Sequence, residues 1–412
     1  MKKSKKKWII IVCILILIAI ATITLICINN NSQEIPRVYI EGNIANMLDK
    51  KDERVVKIKY KDKNNKFESY AQIKIQGDSS LEYAKKNYTI KLYQDENCEE
   101  KNKVIVNEAW GEQNKYCLKA NWIDKTHSRN IVTARLAAAI QEKYGLLMDA
   151  PNNGTIDGFP VEVYINNEFL GLYTWNIPKD EWLWNLDDEN SNNIAVESGN
   201  LSKTTSFLEE ATEFEENGWQ CQVGEENDVT LEKLNRLIRF VKDSSDEEFK
   251  RDYELYINKD SMLNYLAVLL TTNAVDNICK NLILVTYDSY VWYPTLYDLD
   301  TTFGTDSKGE KLRITINVVE EINRNLLFKR TMECFPNEVA DRYFELREGI
   351  LSKENIMKEF ESFKEQIPEE SLKKENERWS NIPGQDLTQI SDYLNNQLTK
   401  IDKRMEEKYI ID

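Results

Sequence analysis

The 412-residue chain has a single histidine, His127, and no Cys-x-x-Cys pair among its seven cysteines. That argues against a zinc centre, which needs several N or S ligands at short spacings. Cys13 and Cys27 lie in an apolar run, leaving Cys98, Cys117, Cys221, Cys279 and Cys334, an odd number. A disulfide framework is therefore not expected; buried thiols are, with at most one pair among them. A lone His127 is more often structural than catalytic. Basic charge is also short: 54 Lys and Arg face 70 Asp and Glu. Nucleic-acid binding needs a basic face, so no nucleic-acid partner is expected. No internal repeat or low-complexity tract is present beyond a bias to Lys, Asn and Glu.

One stretch lacks charge altogether. WIIIVCILILIAIATITLICI, Trp8 to Ile28, follows the stub MKKSKKK with its five lysines. Its 21 residues, at about 1.5 Å each, cover roughly 31 Å, enough to cross a bilayer core. The lysines would stay cytoplasmic and the rest of the chain would lie outside. TITLICINN offers no clean cleavage site, so an uncleaved anchor is expected rather than a signal peptide. Without the stub, 49 basic residues oppose 70 acidic ones, a net −21 that suits a solvated extracellular body. The expected organisation is a cytoplasmic stub 1–7, a transmembrane helix 8–28, a linker 29–35, a domain core 36–305 and a helical part 306–412 of the same domain.

The first hundred residues of the body alternate. VVKIKYKD, AQIKIQ and NYTIKLY read as strands, with a turn at Asn64-Asn65. SRNIVTARLAAAIQEKYG reads as a helix with Gly145 as its C-cap, and Ser128 is a candidate N-cap. FPVEVYINNEFLGLYTW reads as a hairpin turning at Asn166-Asn167. Asp180 to Asn193 is expected at the surface, and Glu209 to Asp228 as a solvated acidic insertion. TLEKLNRLIRFV has an amphipathic helical period, while KDSMLNYLAVLLTTNAVD reads as a buried helix capped by Asp260. Beyond Gly304 the chain is mostly helical, and Ile390, Leu394, Ile401 and Met405 form a stripe expected to pack on the body.

The chemistry concentrates in VDNICKNLILVTYDSYVWYPTLYDLDTTFG, Val275 to Gly304. Asp276, Asn277 and Asn281 stand before an apolar hairpin, and Asp298 and Asp300 after it. Asp and Asn gather at turns for local reasons. The order here is more demanding: a helix, D-x-x-x-x-N, a hairpin, then D-x-D. In a protein kinase that spacing gives an Asp that accepts the substrate hydroxyl proton, an Asn that holds Mg²⁺, and a further metal-binding Asp after the hairpin. Hard cations require such carboxylate and amide oxygens. Upstream, IQGDSSLEYAKKNY offers Gly77 for close backbone approach, Ser79 and Ser80 as donors, and Lys86 as a phosphate cation. In LKANWIDKTHSRN, Arg129 stands at a helix N-terminus, where a cation is disfavoured unless it meets an anion or carboxylate.

These segments resemble the CotH kinase family. IQGDSSLEYAKKNYTIKL, LKANWIDKTHSRN, VEVYINNEFLGLYTW and AVDNICKNLILVTYD…YPTLYDLDTTFG come in the family's order from Ile73 to Gly304. The resemblance implies an α+β, diverged protein-kinase-like fold, β-rich in its N-terminal part and helical in its C-terminal part. It implies ATP with Mg²⁺ or Mn²⁺, and Ser or Thr of a surface or spore-coat protein as acceptor. Asp276 looks like the catalytic-loop acid, Asn281 and Asp298 like metal ligands with Asp300 beside them. Lys86 looks like the family's lysine, with Ser79, Ser80 and Arg129 as further cofactor-binding residues. Gln76, Gly77 and Asp78 stand where many members have Arg-Gly-Asn. No Glu follows GLYTWNIPK before Asp180, and Glu197 is the substitute. Two other readings remain: a non-catalytic surface scaffold, and a metal-dependent glycosyltransferase using Asp298-Leu299-Asp300, which lacks a supporting βαβ pattern.

Overall fold

The computed structural model describes residues 34–409 except 45, 46, 48, 78, 313–317 and 385. The apolar run 8–28 and Asp78 lie outside the described residues. Among the described residues, no helix is long and apolar enough to cross a membrane.

The alternation in the N-terminal part closes a barrel. Its strands are β1 (Arg37–Glu41), β2 (Glu53–Lys61), β3 (Lys66–Gln76), β4 (Asn87–Tyr93), β5 (Lys115–Lys119), β6 (Gly158–Ile165) and β7 (Glu168–Asn176). They run in the order β1-β2-β3-β4-β5-β7-β6, antiparallel except where β1 meets β6 in parallel and closes the circle. Period-2 patterning sends Val56, Ile58 and Tyr60 of β2, and Ala71, Ile73 and Ile75 of β3, into the interior. A barrel of this size is filled by side chains, and each Ile or Val buried there contributes about 1.5–3 kcal/mol. Both hairpin turns form as read. Asp62 Oδ1 accepts the Asn64 N–H at 2.6 Å. Asn166 and Asn167 take φ values of 49° and 70°, the two left-handed residues that a type I′ turn requires.

The second part is built on a four-stranded sheet, β11-β10-β8-β9, from β8 (Ile194–Ser198), β9 (Trp219–Val223), β10 (Leu282–Thr286) and β11 (Tyr293–Leu296). With it come the helices α1 (Arg129–Lys143), α2 (Asp228–Asp243), α3 (Lys259–Thr272), α4 (Leu326–Cys334), α5 (Pro336–Glu348), α6 (Lys353–Glu365), α7 (Glu369–Arg378), which packs on β7 of the barrel, α8 (Leu387–Asp392) and α9 (Leu398–Tyr409). The result is mixed α+β, β-rich first and helical later. Buried on nearly every face, α3 is a central helix rather than an amphipathic one. Ile390, Leu394, Ile401 and Met405 are buried against the body.

Four local readings change. Asn258, not Asp260, caps α3 through the Ser261 N–H at 2.8 Å, and Asp260 instead pairs with Arg342. Ser128 makes no cap bond with its side chain; Asp124 Oδ2 takes the N–H groups of Ser128 and Arg129 at 2.9 and 2.8 Å. The stretch Asp180 to Asn193 is not wholly at the surface, because Leu183 and Trp184 are core residues. Nor is Glu209 to Asp228 a solvated insertion throughout. It contains β9 with its buried Trp219, and Asn235 of α2 grips both backbone groups of Ala211. The two caps differ through local hydrogen bonds, and in the two polar stretches side-chain packing at long range overrides local polarity. All five described cysteines are free thiols, and Cys117 and Cys279 are buried.

Candidate active site

At its C-terminus α3 stops at Asn273, whose φ of 54° is the left-handed cap, and the chain turns into a 3₁₀ segment, Val275–Ile278. This places Asp276. Neighbouring Asn277 is fully buried and donates to the Tyr297 carbonyl at 2.7 Å, while its own carbonyl accepts the Tyr265 hydroxyl at 2.6 Å. One amide therefore ties the Asp276 turn to the residue before Asp298. Asn281 follows, with φ 57°, its N–H on the Ser198 carbonyl at 2.9 Å. The β10–β11 hairpin pairs Leu282 with Leu296 and returns the chain to Asp298.

The segment after the hairpin is held from α1. Asn130 Oδ1 accepts the Leu299 N–H at 2.9 Å, between the two acids. Thr133 and Thr302 hydroxyls meet at 3.2 Å. Asp298 and Phe303 have φ values of 54° and 55°, left-handed and costly for a bulky Phe. Such backbone persists only where its surroundings fix it, and the Phe303 N–H bonds the Thr272 carbonyl at 2.6 Å.

The three carboxylates act on one another. Burial pushes the Asp300 carboxyl well above its ordinary value, and the charges of Asp298 and Asp276 push it further. Burial raises Asp276 as well, with Asp298 and Asp306 adding to it against Lys280 and the Thr301 hydroxyl, which donates at 3.2 Å. Tyr83 feels all of them: burial first, then Asp300, Asp298, Asp276 and Asp306 raise its hydroxyl. Tyr83 immediately follows the Ser79–Glu82 3₁₀ turn and bonds the Ser307 carbonyl at 2.9 Å, so that turn faces the carboxylates.

The turn has one permitted geometry. A Cβ on Gly77, at φ 118°, would lie 1.8 Å from Ser80 Oγ. Asn87 reaches Ser80 Oγ at 3.5 Å and accepts the Ala120 N–H at 2.7 Å, joining the turn to the end of β5. Lys86 turns elsewhere. It donates to the Leu81 carbonyl and lines a cleft of about 570 Å³ with Ile75, Tyr88, Phe169 and Arg378. Arg129 is buried in an ion pair with Asp124 and donates to Gln389 at 2.7 Å, so its cation meets a carboxylate. Glu197 pairs with Lys179 and accepts from Gln222 at 2.8 Å. The structure thus brings Asp276, Asp298, Asp300 and the Ser79–Glu82 turn together, and does not bring Lys86 to them.

Sequence reading passed over Lys119 and Lys179. Both stand over the Tyr297 ring, with Nζ 5.7 and 4.6 Å from its centroid. Lys119 ends β5 opposite Thr174 of β7. Burial would lower the Lys119 ammonium, but Tyr297 and Asp298 outweigh it and raise it. Its position within LKANW was the only signal, and strand alternation gave no reason to single it out.

Among the described residues, no three His, Cys, Asp or Glu side chains form a ready metal cage. Mutually repelling carboxylates nonetheless suit a cation that brings other ligands. Mg²⁺ binds through one or two carboxylates and completes its shell with water and phosphate oxygens. The buried Asn277 Oδ1, which has no hydrogen-bond partner among the described residues, adds to the oxygen-rich character.

A β-rich part joined to a helical part, with acids placed by a helix, a hairpin and a turn, defines a mixed α+β protein with an acidic site. The chain matches the family model described as CotH kinase protein over residues 73–405, and it belongs to the CotH kinase family. No curated protein matches it.

Proposed function

We propose that the protein is a metal-dependent kinase that moves the γ-phosphoryl group of ATP to Ser or Thr hydroxyls of a surface or spore-coat protein. The observation that carries this reading is the carboxylate cluster, in which burial and Asp298 hold both Asp276 and Asp300 above their ordinary range. Such repulsion is relieved when a cation sits among the acids. Asp298 and Asp300 would hold Mg²⁺ or Mn²⁺, with the Asn281 amide as a further oxygen. The metal's chemistry is to neutralise charge on the transferring phosphoryl group. Asp276 would accept the proton of the attacking hydroxyl, with Thr301 orienting its carboxylate. The Gly77–Ser80 turn would lie over the phosphates, where Gly77 permits close approach. Arg129 serves from behind: it fixes Asp124 and α1, whose Asn130 fixes Leu299. The apolar run 8–28 supports display of this body on the outer face of a membrane.

The test is phosphate transfer by the purified chain, with ATP and Mg²⁺ or Mn²⁺, to itself or to a Ser-rich acceptor, using Asp298→Ala as control. Transfer that disappears in the variant is the expected result. ATP binding without transfer to any acceptor would favour the non-catalytic scaffold. Binding of a sugar nucleotide in place of ATP would favour the glycosyltransferase reading.

A further inference from the structure

We propose that Lys119 is the cation that meets the nucleotide's phosphates, in place of Lys86, with Lys179 held behind it; this rests on the kinase reading above. Five lysines stand near the elements of the site, and one of them, Lys280, acts on Asp276 from the same turn. Lys85 is fully buried, its Nζ on Glu375 Oε1 at 2.6 Å and on the Ala120 carbonyl at 3.1 Å. Lys86 is turned to the Leu81 carbonyl and the cleft beside Arg378. Lys179 is paired with Glu197. Of the five, Lys119 is the one that rests on the residue before Asp298 and whose charge acts with Asp298 and Asp300, with no ion pair to either among the described residues.

The arrangement of charge explains the spacing. Lys119 rests on the Tyr297 ring, and Tyr297 is the residue next to Asp298. Ala120, the next residue along, is bonded to Asn87, which reaches the Ser80 turn. Lys119 thus lies between a contact with the residue before Asp298 and a backbone link to the Ser80 turn. Carboxylate, metal, phosphate and ammonium in that order alternate in sign, and every neighbour attracts. With metal but no phosphate, the ammonium and the metal repel each other. Lys179, stacked on the same ring and neutralised by Glu197, keeps Tyr297 in place and adds cationic potential.

This gives a test with two opposite signs. The full chain is titrated with Mn²⁺ alone, then with a fluorescent ATP analogue in saturating Mn²⁺, as wild type, Lys119→Met, Lys119→Arg and Lys86→Met. Lys119→Met is expected to weaken nucleotide binding about tenfold or more while tightening Mn²⁺ alone by about threefold, because a facing charge is gone. Lys119→Arg should recover part of the nucleotide affinity, and Lys86→Met should change it by less than about twofold. A purely structural loss would weaken both ligands together and would overturn the proposal. Unchanged nucleotide affinity in Lys119→Met, with the wild type binding well, would overturn the assignment and leave the kinase reading intact. A wild type that binds no nucleotide overturns both.

Discussion

Two groups of buried charge lie on either side of residues 119 to 130, and they are opposites. In the first, Lys85 and Glu375 neutralise each other in a closed ion pair. Glu375 Oε2 takes the Leu172 N–H at 2.7 Å, and Lys85 Nζ stands 4.4 Å from the centre of the Tyr173 ring. Burial brings Lys85 down to about 8, so it remains charged at neutral pH, and brings His127 down to about 4, so His127 is neutral. Gly171, at φ 156°, leaves room where a Cβ would lie 2.8 Å from Lys85 and 2.9 Å from Glu375. In the second, Asp276, Asp298 and Asp300 repel one another, and Lys119 and Lys280 act on them without closing an ion pair among the described residues. The first group ties the barrel to α7 with its charges balanced. The second is left incomplete by the chain itself. Incompleteness in a well-packed interior is what distinguishes a binding site from a structural ion pair.

The contrast can be broken, and the largest effect is expected at the incomplete group. Asp298→Asn should reduce phosphate transfer by about a thousandfold while leaving the unfolding midpoint in urea unchanged or higher. A loss of fold with the loss of activity would mean that the acids are structural. At the complete group the expectation reverses. Glu375→Ala should cost roughly 3–5 kcal/mol of stability by stranding a buried lysine, measured by chemical denaturation. The double variant Lys85→Met/Glu375→Leu should recover much of it, because two apolar side chains leave no unpaired charge.

Acid separates the two groups by sign. His127 has a folded value of about 4, below its ordinary 6.5, so the unfolded chain binds the extra proton between those limits. Its contribution is complete above about pH 6.5 and is lost on the way down to pH 4, on the order of 3 kcal/mol. His127→Gln should flatten that slope. Asp300 behaves oppositely: raised in the folded chain, it binds more protons there, so its contribution falls as pH climbs above about 4. Asp300→Asn should remove that decline. The smallest effect is expected at Thr301. Thr301→Val deletes the hydroxyl that lowers Asp276, so the acidic limb of the pH–rate profile should move upward by less than about one unit.

Much of the fold was legible because it depends on period and on turn chemistry. Strand alternation exposed β2 to β4, Asn166-Asn167 marked its own turn, and the C-terminal stripe showed its buried face. The carboxylates of the site were legible because helix, hairpin and D-x-D are local in the chain. Polar stretches misled, since Trp184 and Trp219 are buried by partners distant in sequence. Asp124 was passed over as a cap because it lies five residues before Arg129, the N–H it holds. The lysines were the hardest. In LEYAKKNYTIKL and CLKANW nothing distinguishes Lys85, Lys86 and Lys119, and their fates diverge completely.

Composition, spacing and periodicity by themselves determined a chain of acidic character, strands first and helices later, and a hairpin flanked by acids. They do so because hydrophobic period and local turns act over a few residues. Tertiary structure alone decided where each charge went: Lys85 to Glu375 across 290 residues, Arg129 to Gln389 across 260, and Lys119 to the ring beside Asp298. A charge's partner is set by which surfaces the fold brings within a few ångströms, and Coulomb attraction in a dry interior makes that choice decisive.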